Sequence, residues 1–204
     1  MKTTNKNLKN QEAGSFTENS NTNFNSMAKG ALFAAALFLI AATGCKKKDD
    51  DKTTDTSHNT NSTDQSFMVK AAQGDKAEIE LGQLAATNAS DQAVKDFGQM
   101  MVNAHTQTST QLKTIAAQKS VNVPDTLDAA HAALKTQLQS LSGFAFDSVY
   151  MHSQVNDHKD AQTNFQTEIS GGQDSDVRNF AIQNFPAINH HLQLADSLYF
   201  GMHR

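Results

Sequence analysis

The chain has 204 residues, 38% hydrophobic and 7% aromatic, with no Trp, one Cys, ten Gly and two Pro. That length suits one domain with appendages, and so few glycines and prolines speak against a turn-rich β fold. A net charge of −4, with no basic stripe interleaved with aromatics, excludes nonspecific nucleic-acid binding, which needs clustered Lys and Arg.

The first segment with a readable design is GALFAAALFLIAATGC, Gly30–Cys45. Its apolar run, Gly30–Ala42, is too short for a membrane-spanning helix, and no second span follows. Lys29 gives it a positive flank, and Ala42, Thr43 and Gly44 are small enough for cleavage, so it reads as a signal peptide. The pattern resembles a bacterial lipoprotein signal, with Ala42 standing where the usual motif has Leu. Cys45 is then the predicted lipid-attachment residue, carrying palmitate and related chains, and the lipid bilayer is the predicted partner. The competing readings are an uncleaved N-terminal anchor and a buried free thiol. A lone cysteine makes no internal disulfide, so an exported domain of this kind must be stable without one. Met1–Ser26 is polar and holds nothing a signal peptide needs, which makes Met27 an alternative start.

The expected organisation is a leader and signal over 1–44, a flexible tether over 45–65, and a helical domain over 66–200. Lys46–Ser66 contains no apolar residue, as expected of a solvated tether. Lys46–Lys48 would meet anionic headgroups, with Asp49–Asp51 partly offsetting them. Lysines rather than an aspartate directly after Cys45 favour the outer membrane, facing the periplasm or the cell surface, and the acidic run resembles a surface-export signal.

Helical periodicity then begins. A first helix carries Phe67, Ala71, Glu78, Leu81, Ala85 and Ala89 on one stripe, with Gly74 and Gly82 available for close packing. Asn88–Asp91 breaks it, and Ser90 or Asp91 caps the next helix. The second carries Val94, Phe97, Met101, Ala104/His105, Thr108, Leu112 and Ile115 and ends near Lys119. Pro124 marks a loop, and a short helix over Thr126–Leu141 presents Leu127, Leu134, Leu138 and Leu141. The third long helix, Phe144–Ile169, carries Phe144, Asp147, Met151, Gln154/Val155, His158 and Phe165. After the turn SGGQD, the last helix over Ser175–Leu198 carries Val177, Phe180, Asn184, Ile188, His191 and Ala195, with Pro186 predicted to kink it. Four long amphipathic helices bury their stripes only against one another. The expected fold is all-α, a four-helix bundle with one additional short helix.

The apolar stripes are interrupted by Glu78, His105, Asp147, His158 and His191. Buried charges need partners, so these residues should meet one another or line a cleft. Asp147 and His158 share a face, but a helix places them about 16 Å apart, too far to bind one ion. Imidazoles and carboxylates together suit a transition metal such as zinc, iron or manganese. No HExxH occurs, nor the paired ExxH of di-iron bundles. Internal hydrogen bonding, an organic-ligand cleft and a protein-binding groove remain open beside the metal reading. Ligand atoms converging within about 5 Å would favour metal. His131, His152, His190 and His203 read as surface residues, Met100 and Met101 as core and flank, and Tyr150 and Tyr199 as partners for buried polar groups. No GxSxG elbow and no phosphate loop supports catalysis.

The stretches AAQGDKAEIELGQLA (Ala71–Ala85), MVNAHTQT (Met101–Thr108), FDSVYMHSQVNDH (Phe146–His158) and FPAINHHLQLA (Phe185–Ala195) together resemble the DUF4142 family of exported, ferritin-like helical bundles. The resemblance implies that family positions fall on Glu78, Glu80, His105, Asp147, Tyr150, His158, Pro186 and His191. Phe185 stands where the family usually has Leu, and Asp75 where many members have a second glycine. Ferritin chemistry is not implied, because the di-iron pattern is absent. The expected function is a membrane-tethered cell-envelope domain, a binding module with an envelope protein partner. The alternative is a metal-binding domain, either a metal-dependent oxidoreductase or a storage protein.

Overall fold

A computed structural model describes residues 60–204. The expected signal, Met27, Cys45 and most of the expected tether lie outside the described residues. Those described form five helices and no strand: α1 (Ser62–Asn88), α2 (Gln92–Gln118), α3 (Ala129–Gln139), α4 (Gly143–Gly171) and α5 (Ser175–Met202).

Side-chain caps set most of the helix starts. Asn61 and Asp64 form a reciprocal capping box at α1, with Asn61 Oδ1 accepting from the Asp64 amide at 2.9 Å and Asp64 Oδ2 from the Asn61 amide at 2.7 Å. This box starts α1 at Ser62, inside the stretch whose polar composition reads as tether. Asp91, Asp128 and Asp174 cap α2, α3 and α5 more simply, each side chain accepting from first-turn amides. α3 is shorter than the Thr126–Leu141 pattern, because the Asp128 cap fixes its first turn at Ala129. α5 runs unbroken through Pro186 to Met202, past the predicted end at Leu198.

α1 packs chiefly on α2, and α4 on α5. These two hairpins join along the α1–α4 seam and, more lightly, between α2 and α5. α3 is a crossover from the end of α2 to the start of α4, and it lies against α1 and α4. It buries Leu138, with Leu127, Leu134 and Leu141 half-buried beside it, and the Lys135–Glu80 ion pair at 2.7 Å ties it to α1. Phe144 belongs to no core: it is 57% exposed in the first turn of α4, against the His203 ring.

The buried apolar residues fall into two clusters. One gathers Leu81, Phe97, Met101, Phe146, Tyr150 and Met151. The other gathers Phe67, Leu112, Phe165, Phe180 and Ile188. Between them, the long helices carry buried polar residues: Asp75 and Glu78 on α1, His105 on α2, His158 on α4 and His191 on α5. The apolar core is therefore divided by a polar layer at one height of the bundle.

Candidate metal centre

His105 sits between Met101 and Leu112 of the two apolar clusters, His158 between Val155 and Phe165, and His191 between Ile188 and Ala195. Helical periodicity thus aims all three rings inward, and bundle closure brings them together. Their ring centroids are 6.1, 5.7 and 5.4 Å apart for the pairs His105–His158, His105–His191 and His158–His191. Each ring offers one nitrogen to a common point, and these atoms lie within 4.8 Å of one another.

The surroundings fix the tautomers. His105 Nδ1 lies 2.8 Å from Asp75 Oδ1, which also accepts from the Thr108 hydroxyl at 2.8 Å. His158 Nδ1 donates to the Gln154 carbonyl at 2.9 Å. With both Nδ1 atoms occupied, Nε2 carries the lone pair in each ring. His105 Nε2, His158 Nε2 and His191 Nδ1 are buried and have no hydrogen-bond partner. An orphaned buried nitrogen is costly, and three facing one another is the arrangement a metal ion would satisfy.

Electrostatics treat the rings differently. Burial pushes His191 down to about 3, helped by the neighbouring His105, His158 and His190, so its ring stays neutral. Burial also works to lower His105, but its hydrogen bond to Asp75 and the charges of Glu78 and Asp75 outweigh it and raise the ring. Glu78 is raised by burial against the opposing pull of His158 and His105. Its Oε1 lies 3.7 Å from His158 Nδ1, and its Oε2 has no partner. Glu78 thus places a carboxyl group beside the triad.

A family model described as "Domain of unknown function (DUF4142)" matches residues 50–198. The chain belongs to the DUF4142 family. No curated protein and no solved structure matches it.

The DUF4142 chain does not gather all its candidate residues in one place. Glu78, His105, His158 and His191 converge. Asp147 does not: its carboxylate accepts from the Ser90 amide and the Asp91 amide, both at 2.9 Å, and from the Ser90 hydroxyl, so it secures the α1–α2 turn. Tyr150 is buried in the apolar cluster on the α3 side, its hydroxyl without a partner. Burial, with the charges of Glu78 and Asp157 behind it, holds that phenol well above its ordinary range. Pro186 is an exposed residue inside α5 and contributes no group to the triad. Among the other histidines, His190 is exposed as expected, whereas His131 is half-buried and pairs with Asp128 at 2.6 Å.

Asp75 is the functional candidate that sequence reasoning passed over. It stands three residues before Glu78 and three after the buried Ala72, a spacing that places it on the same inward stripe.

Proposed function

We propose that this domain is a mononuclear transition-metal-binding bundle, with His105, His158 and His191 as the protein ligands. The observation that carries it is the convergence of three buried imidazole nitrogens, none with a hydrogen-bond partner, two of them oriented by partners on the opposite ring nitrogen. A tetrahedral ion with bonds of 2.0–2.1 Å holds its ligand nitrogens about 3.4 Å apart, so modest ring rotations would close the triad onto it. Imidazole donors suit zinc, copper, nickel, cobalt or iron. Three histidines without a bridging carboxylate favour a single ion over a di-iron pair.

Elemental analysis of the untagged full-length protein tests this. Near-stoichiometric metal is expected, lost in His105→Ala and His191→Ala and kept in Asp147→Asn. A metal-free protein whose melting temperature ignores added zinc, copper and nickel would sink the reading.

The single crossover through α3 supports a ferritin-like arrangement of the bundle. The Gly30–Cys45 pattern supports placement in the cell envelope as a lipoprotein anchored through Cys45, with the outer membrane favoured by the lysines that follow. Metabolic lipid labelling is expected in the wild type and absent in Cys45→Ala.

A further inference from the structure

The three histidines and Glu78 form the inner end of a cleft of about 860 Å³ that runs along the α1–α4 seam. α3 touches the cleft only with its cap residue Asp128 and its first-turn His131. Among the described residues no other part of α3 lines the seam, and the exposed Ser66, Lys70 and Thr163 line the cleft. Between mouth and triad the wall is apolar, built from Phe67, Ala71, Phe165 and Ile188.

Gly74 adds to the open space on this wall. It lies in mid-α1 on the cleft wall, and a Cβ there would meet no atom within 4 Å. The other two mid-helix glycines of the bundle behave oppositely. A Cβ on Gly82 would fall 2.8 Å from the Gly98 carbonyl oxygen, and one on Gly98 at 2.8 Å from the Gly82 carbonyl oxygen, so those two let α1 and α2 touch. A glycine inside a helix is destabilising. At Gly74 no close packing offsets that, and what the missing side chain leaves is volume next to Asp75.

Resting on the metal reading above, we propose that the cleft binds an amphipathic organic monoanion. Its head group takes a coordination position on the metal, and its alkyl body lies along the apolar wall toward the α1–α4 opening. Three protein ligands leave a tetrahedral ion one position for an outside donor. The cleft has the volume of small-molecule sites. Three neutral imidazoles leave a divalent ion its full charge, of which the Asp75 carboxylate behind His105 offsets one unit. A singly charged head group therefore suits the site better than a phosphate.

The test uses the full-length chain loaded with Co(II), whose visible absorption reports its ligands, and the probes acetate, butanoate, hexanoate and octanoate. Each acid is expected to shift the cobalt bands. Affinity should rise with chain length by up to about fourfold per methylene, the equivalent of burying that group. Gly74→Leu, which fills the wall, should weaken octanoate tenfold or more while leaving the cobalt spectrum and acetate binding unchanged. A cobalt spectrum that no acid perturbs, or affinities flat with chain length in the wild type, would overturn the cleft proposal and leave the metal reading standing. Failure of the wild type to give a cobalt spectrum would remove both.

Discussion

Asp75 holds the ring of His105 by its Nδ1, and so decides where Nε2 points. Replacing a carboxylate partner behind a metal-bound histidine commonly lowers affinity by about 10–100-fold. Asp75→Asn is therefore expected to weaken zinc binding by that factor in a chelator-competition titration, with the helical circular dichroism unchanged. A second buried carboxylate acts far from the triad. Glu168 is enclosed beside Asp64 with no donor on either oxygen. Burial, then the Asp64 carboxylate, raises its pKa to about 8. A raised folded-state pKa gives stability that is complete below the ordinary value and lost as pH climbs through about 8. Melting temperature should accordingly fall from pH 5 to pH 9 in the wild type and fall less in Glu168→Gln, whose amide stays neutral throughout. Glu78, His105, His158 and His191 were legible in the sequence because each interrupts an apolar stripe. Asp147 was legible as an inward residue but not by its role, since the Ser90 and Asp91 amides it serves come near it only once the bundle closes. Asp75 shares the inward stripe by spacing but acquires a role only through a histidine 30 residues away.

Among the helices, glycine position separates contact from void. Gly98→Ala would press a Cβ to 2.8 Å from both the Ala85 side chain and the Gly82 carbonyl oxygen, so α1 and α2 must separate. The expected cost is about 1–3 kcal/mol in denaturant unfolding. Gly74→Ala meets open space, and removing a mid-helix glycine should stabilise by about 1 kcal/mol in the same measurement. Opposite signs from one chemical change distinguish the two helix faces. The five helices and the turns between them followed from periodicity, the Ser90/Asp91 cap, Pro124 and the SGGQD stretch. Helix ends were less legible. Composition read residues up to 65 as tether, because the cap of α1 is built from the same polar residue types as the stretch before it. Phe144 extended the apolar stripe of α4 on paper. The structure puts it in the first turn, after Gly143 at φ 59°, where it faces outward.

At the largest scale, the described residues form two helical hairpins held together around a polar layer. Each apolar cluster draws on both hairpins, but the layer between them contains buried nitrogens that apolar packing cannot satisfy. An ion there would join α2 of one hairpin to α4 and α5 of the other. Metal at 100 times its dissociation constant stabilises a protein by about 2.7 kcal/mol. For a chain of this size that is roughly a 5–10 °C rise in melting temperature. Differential scanning calorimetry with and without zinc is expected to show that rise in the wild type and none in His158→Ala. The clamp at the start of α1 has a separate, mechanical consequence. Asn61 donates to the Gly171 carbonyl at 3.2 Å, and Asp64 accepts from the Gln173 and Asp174 amides at 3.0 and 3.2 Å. A pull on the chain upstream of Thr60 is therefore shared at once with the α4–α5 turn. Force enters both hairpins together, in shear across several short bonds, and does not peel α1 away one turn at a time.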